Sequence, residues 1–405
     1  MAKSKSKAIV GKPLAGKKVA AKKSINKTAK NKKAATKKTG TNRAVASRSR
    51  SMAAVPSTDQ AMTGPVTLAE AKSLVHSQWQ QPQSGRRATQ SERTATLASV
   101  AEQRHQIEDQ VQTEFSRRIR EFKATMSVMQ SRGVKGLSTS DIRENVAPTA
   151  AAAQPLQVFA QGDSWFDYPV PFFGGGIIPR LENRLGIPIL NLAKAGDEVR
   201  NMLGVEERKL LSDQLKNGSP AGGRWDVLLF SGGGNDIVGN PMALWIQDYN
   251  AAVPPPNLIS KVRFDAALEL VQAGYEDLIQ LRDTLSPTTH LIFHGYDFAI
   301  PDGRGICGMG PWMKPTFDLR GFPPLSPAPA PSPAVVKSML QQFAANLQSL
   351  AAAHNDVTFI NTQGTLAPVA SSWHNELHPS SDGFDEFAAI FQAKLKALFP
   401  ARVPS

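Results

Sequence analysis

From Leu156 onward, short apolar runs alternate with stretches in which apolar residues recur every three or four positions. A short apolar run bounded by turn residues reads as a buried strand, and the 3.6-residue period reads as an amphipathic helix. The pattern predicts strands at Leu156–Ala160, Ile187–Leu192, Val227–Ser231, His290–Gly295 and Thr358–Asn361. Helices are expected near Asn201–Lys216, Arg263–Leu285, Ala334–His354 and Ser381–Leu398. Strands and helices in strict alternation form a mostly parallel sheet with helices on both faces, a three-layer α/β/α sandwich. Ligands in such folds gather where the carboxyl ends of strands meet the following loops. Two segments break the rhythm, Asn240–Pro256 and the proline-rich Ala299–Pro333. Loops of that length serve as functional covers or stay disordered, so both are expected to wall a cleft.

Upstream, the pattern changes. Leu97, Val100, Ile107, Val111, Phe115, Ile119, Phe122, Met126 and Met129 recur at spacings of mostly three and four, predicting one long helix over 89–131. It dominates a segment running from 89 to 146 that ends beyond Gly133 and Gly136. The phase shifts between Val111 and Phe115, which argues against an unbroken coiled-coil seam. Such a stripe serves either a dimer interface or packing on the chain's own body, and packing is the commoner fate. Residues 51–88, rich in Ser, Pro, Gln and Gly, read as a linker between this helix and the N-terminus.

Charge divides the chain sharply. Residues 1–50 carry 17 Lys or Arg and no Asp or Glu, leaving 30 of the 47 basic residues against all 34 acidic ones, a net of −4. The chain is therefore a mildly acidic body with a polycationic arm. The arm has too few large apolar side chains to offset the entropy of ordering, and disorder is expected. It either attaches to DNA, RNA or another polyanion by neutralising phosphates, or serves as a solubilising tail. The single cysteine, Cys307, excludes an internal disulfide and fits a reducing compartment. No apolar core of a signal peptide follows the N-terminus, and no stretch reaches the length of a membrane span. These features predict a cytoplasmic protein.

Candidate chemistry falls on four strand ends or loops. Gly162-Asp163-Ser164 follows the first strand of the body and places a serine hydroxyl at the rim of the sheet. Serine is a poor nucleophile until a base takes its proton. His378, in the loop before the last helix, is the best base; His374 competes as its neighbour, and His294 less well at the end of a buried strand. Gly232-Gly233-Gly234-Asn235 ends the third strand and Gly196 follows the second. The amide of Asn235 and the backbone N–H of Gly196 are candidate donors to a developing oxyanion. The triple glycine lacks the Lys-Ser/Thr of a phosphate loop and any dinucleotide spacing, which argues against nucleotide binding. Asp167 and Asp297 are read as loop carboxylates that accept local hydrogen bonds. No His, Cys, Asp and Glu set has the spacing of metal ligands, so no metal is expected.

Taken in chain order, Gly162-Asp163-Ser164, Gly196, Gly233-Gly234-Asn235-Asp236 and His378 resemble the four motif segments of the SGNH, or GDSL-type, hydrolase superfamily. The resemblance covers roughly residues 153–400. It implies a flavodoxin-like sandwich, ester hydrolysis and no cofactor. It also implies Ser164 as nucleophile, His378 as general base, and an oxyanion hole built from the backbone N–H groups of Ser164 and Gly196 with the side chain of Asn235. One departure stands out. The family places an Asp three residues before its histidine, and here Asn375 holds that position. Asparagine can orient an imidazole but cannot stabilise imidazolium as a carboxylate does. Glu376 is the alternative carboxylate, at a different offset.

Two functions follow. The leading one is a serine ester hydrolase acting through an acyl-enzyme on a lipid, an acetylated sugar or a small ester. The competing one is a catalytically weak or idle hydrolase fold that binds polyanions such as DNA through its basic tail.

Overall fold

A computed structural model describes residues 90–132, 155–168, 175–306 and 308–403. All of them belong to one unit spanning 67–405. The arm 1–50, the linker 51–88, the end of the 89–146 segment and Cys307 lie outside the described residues.

Five strands form one parallel sheet: β1 (Val158–Gly162), β2 (Ile189–Asn191), β3 (Val227–Ser231), β4 (His290–His294) and β5 (Val357–Ile360). Their order is β2-β1-β3-β4-β5. The helices are α1 (Gln90–Arg132), α2 (Ile177–Leu185), α3 (Val199–Met202), α4 (Val205–Asn217), α5 (Gly234–Ile237), α6 (Lys261–Leu285), α7 (Lys314–Leu319), α8 (Pro331–Ala352) and α9 (Ser381–Leu398). β1 and β3 are buried at every position, because helices cover both faces of the sheet. Parallel crossovers are right-handed. The chain steps one way from β1 to β2 and the other way from β3 onward, so α2 falls on the face opposite α6 and α8. α9 packs on α2, while α6 packs on both α4 and α8. Three layers result.

The reversal of direction between β1 and β3 opens a crevice at their carboxyl ends, the place where such sheets bind ligands. Gly162 ends β1 in register with Ser231 of β3, and a Cβ at Gly162 would stand 2.8 Å from the Ser231 carbonyl oxygen. Only glycine lets the two strands close at this point. Asp163 continues the ladder by donating its N–H to that same carbonyl at 3.0 Å.

Differences from the expected elements have local causes. The helix expected over Asn201–Lys216 is two helices, since Gly204 adopts an extended conformation and starts α4 afresh. α2 is additional. Its apolar residues Ile177, Ile178, Leu181 and Leu185 are all buried, and Pro179 sits in the first turn, where a missing N–H costs nothing. β1 begins two residues late because pairing with β3 starts at Val158 opposite Val227.

The stripe on α1 from Val111 to Met129 packs within the chain. Phe115, Phe122 and Met126 are buried in the same core as the sheet, with the Phe122 ring 5.4 Å from Trp225. α1 lies along β2, the edge strand, and so covers an edge that would otherwise be open to pairing. Among the described residues no helix is long and apolar enough to cross a membrane.

Candidate active site

Ser164 leaves the end of β1 in a tight turn in which Phe166 and Asp167 both donate their N–H to the Asp163 carbonyl at 3.1 Å. The turn is braced from below. The Asp163 carboxylate accepts from the Trp165 N–H at 3.0 Å, from Ser231 Oγ at 2.9 Å and from the Tyr296 hydroxyl. Burial pushes the Asp163 carboxyl up to about 6, and those three donors oppose the rise. Trp165 packs 5.0 Å from Phe387 of α9 and donates its Nε1–H to the Leu377 carbonyl at 3.2 Å. The serine turn and the histidine loop are thereby joined through one indole.

The loop over 373–379 closes on itself, with His374 donating its N–H to the His378 carbonyl at 2.8 Å. It brings His378 Nε2 to 2.6 Å from Ser164 Oγ. Both residues are buried, at 6 % and 7 % exposure. On its other side, His378 Nδ1 lies 3.0 Å from Asn375 Oδ1. That oxygen also accepts the N–H groups of Leu377 at 2.9 Å and His378 at 3.0 Å. Two backbone donors therefore fix which end of the amide faces the imidazole. The amide NH2 turns the other way and donates to the Tyr168 hydroxyl at 3.0 Å. With an oxygen facing it, Nδ1 carries the proton and Nε2 is free to accept from Ser164. Tyr168 also stacks on His378 with ring centres 4.3 Å apart, and its hydroxyl reaches His374 Nδ1 at 2.9 Å. Burial, then the neighbouring His374, holds the His378 imidazole down at about 3.

Glu376 does not reach the imidazole. Its carboxylate is fully buried and points the opposite way, accepting N–H groups from Gly303, Trp312, Met313 and Lys314. Of the two residues proposed to orient His378, the fold brings only Asn375 to it. A change of one position in a closed loop reverses the direction of the side chain, which corrects the expectation for Glu376.

Asn235 lies in the first turn of α5, two residues after Gly233, whose φ of +98° is the left-handed turn that ends the β3 loop. Its Nδ2 donates one hydrogen to the Asp197 carbonyl at 2.7 Å, leaving the second available. Gly196 occupies the turn after β2 with φ +82°, one residue before Asp197. Ser164, Asn235 and His378 line one cavity of about 40 Å³, together with Val238, Met313, Leu340 and Leu377.

The other carboxylates and histidines are accounted for by local bonding. Asp297 accepts N–H groups from Phe298, Gly364 and Leu366 at 2.6–2.7 Å. Asp167 pairs with Arg118 of α1 at 2.9 Å. His294 is buried between the Gly295 carbonyl at 2.7 Å and Ser231 Oγ at 2.9 Å, away from Ser164. Among the described residues no group of three His, Cys, Asp or Glu is placed to hold a metal ion. Tyr168 and Asp163 were not assigned roles from sequence. Their signal was position alone, Asp163 directly before the serine and Tyr168 within the aromatic stretch after it.

The chain matches the GDSL-like lipase/acylhydrolase family over residues 160–385, more than half its length. It belongs to that family. Solved structures similar to this GDSL-like chain include a lipase from a goat rumen metagenome, at 19% identity and a TM-score of 0.40, covering 59% of this chain and 96% of the other. An extracellular lipase from Streptomyces rimosus is 15% identical with a TM-score of 0.38, covering 59% and 99%. A family 3 carbohydrate esterase from Clostridium thermocellum is 15% identical with a TM-score of 0.37, covering 62% and 100%. No curated protein matches this member of the family.

Proposed function

We propose that this GDSL-like hydrolase is a serine esterase that works through an acyl-enzyme and prefers short acyl groups. The observation that carries the reading is the 2.6 Å approach of His378 Nε2 to Ser164 Oγ, with Asn375 holding the far side of the ring. Ser164 Oγ attacks the ester carbonyl carbon as its proton passes to His378 Nε2. The carbonyl oxygen gains the negative charge and is met by the free hydrogen of Asn235 Nδ2 and the backbone N–H groups of Ser164 and Gly196. Each such donor contributes about 3–4 kcal/mol. Collapse of the tetrahedral adduct breaks the bond to the alkoxide, which takes the proton back from His378 and leaves as an alcohol. Water then repeats the sequence on the acyl-serine, releasing the carboxylic acid.

Cavity size supports the acyl preference. A site of about 40 Å³ walled by Val238, Met313, Leu340 and Leu377 holds roughly three water-sized groups. That is room for acetyl or propionyl between these walls, and a longer chain has to continue beyond them. A methylene gained or lost in such an apolar pocket is worth roughly tenfold or more in discrimination.

The competing reading, a hydrolase fold with little turnover, draws on Asn375 standing where the family carries a carboxylate. One assay separates them. The esterase hydrolyses p-nitrophenyl acetate faster than the butyrate and far faster than the octanoate, Ser164→Ala abolishes turnover, and a fluorophosphonate labels Ser164. Equal rates in wild type and Ser164→Ala, with no label, would sink the esterase reading.

A further inference from the structure

One guanidinium ties the long N-terminal helix to the two segments that carry the reactive groups. Arg118 lies on α1, well outside the residues 160–385 that match the family. Its Nη2 donates to Asp167 Oδ2 at 2.9 Å, and its Nη1 donates to the carbonyls of Asn191 and Ala193 at 3.2 and 3.3 Å. Its Nε donates to Glu114 of the same helix at 2.9 Å, so the fork is held from behind. The three acceptors belong to different parts of the site. Asp167 closes the serine turn, since its N–H binds the Asp163 carbonyl across Ser164 at 3.1 Å. Asn191 ends β2 and Ala193 follows it, leading into the turn that holds Gly196 and Asp197, the residue whose carbonyl orients Asn235.

The next residue extends the reach. Tyr168 follows Asp167, stacks on His378 and takes the Asn375 amide, so a shift of Asp167 is passed to both partners of the base. Beside it, the Lys194 N–H donates to the Gly162 carbonyl at 2.9 Å, and Asn191 Nδ2 donates to the Phe166 carbonyl at 3.3 Å. Removing Arg118 leaves a largely buried carboxylate without its cation and two strand-end carbonyls without a donor. Burial raises the Asp167 carboxyl, and Arg118 counters it.

We propose that Arg118 is a positioning residue, through which α1 sets the geometry of the serine turn and the β2 turn against each other. The inference rests on the esterase reading for its kinetic consequences, though not for its structural ones. A misplacement of about 1 Å in a reacting group costs on the order of a hundredfold in rate. Arg118→Ala is therefore expected to lower kcat by about ten- to a hundredfold while KM stays within about twofold. Asp167→Asn, which keeps the shape of the side chain, falls in the same direction. Arg118→Lys is intermediate, because an ammonium cannot span three acceptors in fixed directions. Arg117→Ala is the control. Arg117 is half-exposed and pairs with Glu114 and Glu121 on its own helix, so its loss leaves kcat unchanged.

The experiment measures kcat and KM for p-nitrophenyl acetate in these full-length proteins, each below its own melting temperature. Hydrogen-exchange mass spectrometry of the 163–168 and 191–197 segments is recorded alongside. Faster exchange at both segments in Arg118→Ala and Asp167→Asn, but not in Arg117→Ala, supports the proposal with or without turnover. Wild-type exchange at those segments, or wild-type kcat in Arg118→Ala and Asp167→Asn, overturns it. A wild-type protein that hydrolyses no ester at all would strike the esterase reading instead, and the exchange data would still decide the role of Arg118.

Discussion

At the residue scale, the decisive feature is an amide in the place of a carboxylate. Replacing the aspartate of a serine triad by asparagine elsewhere costs on the order of ten-thousandfold, chiefly because the amide presents its NH2 and selects the wrong tautomer. Here Oδ1 of Asn375 is pinned toward the ring by two backbone N–H groups, so the tautomer is the one a base needs. What remains missing is negative charge beside the imidazolium. Asn375→Asp supplies it, and the network can adapt. The Tyr168 hydroxyl can turn to donate to the new carboxylate, while His374 changes tautomer and donates to Tyr168. The expected result is a rise in kcat of roughly ten- to a hundredfold. The pH profile gives the second check. In the proposed mechanism the base works as the neutral ring, and in wild type that form persists until the pH falls toward about 3. His378 therefore contributes no acid limb to kcat/KM near its ordinary value of 6.5. In Asn375→Asp the carboxylate favours imidazolium, and an acid limb moves up toward neutrality. A profile unchanged by the substitution would place Asn375 outside the catalytic machinery. The position of Asn375 was legible in the sequence through its offset from His378. The direction of Glu376, one residue on, was not, because loop closure and not spacing decides where a side chain points.

At the element scale, strands were easier to place than the pieces between them. β3 and β4 carry the unbroken apolar runs Val227–Phe230 and Leu291–Phe293, closed by Ser231 and His294, so their ends show in the pattern. α5 and α7, of four and six residues, are too short for a period to register. The segment expected as a cleft wall over 299–333 has an internal anchor that no periodicity could reveal. Glu376 gathers four backbone N–H groups from Gly303, Trp312, Met313 and Lys314, and so fixes Met313 in the cavity wall. Hydrogen bonds to a charged acceptor contribute about 1.5–3 kcal/mol each, and a donor left buried and unpaired costs a similar amount. Glu376→Ala should then destabilise the fold by about 3 kcal/mol or more. Glu376→Gln, which replaces one acceptor by a donor facing other donors, should fall between. Both are expected to speed proteolysis within 299–314 and to weaken the discrimination between acetate and butyrate esters. Calorimetry and limited proteolysis provide the check. Unaltered cleavage in Glu376→Ala would show that the segment is held by its prolines and not by this carboxylate.

At the scale of the whole molecule, a single sheet explains why residues more than two hundred positions apart can meet. The order β2-β1-β3-β4-β5 puts the carboxyl ends of β1 and β3 side by side, and the loop before α9 delivers His378 to Ser164 at that same end. The alternation of the body implied that arrangement, and the four motif segments fell at the rim as parallel topology requires. Charge is the property the body does not explain. The 17 basic residues of positions 1–50 face a remainder with a net of −4, an imbalance far too large to be neutralised within the chain. A polycation binds DNA by releasing counterions, with a log–log salt slope of about −0.9 for each phosphate neutralised. If ten of those residues engage phosphates, the slope is about −9, and affinity falls by on the order of 10⁵ between 50 and 200 mM salt. Deleting residues 1–50 should abolish DNA binding and leave turnover of a small ester unchanged, because every residue of the candidate site lies beyond position 110. Binding that survives the deletion would locate the polyanion surface on the body. A loss of turnover on deletion would instead mean that the arm acts on the catalytic unit, and the place to look for its effect is α1, whose Arg118 already touches the serine turn.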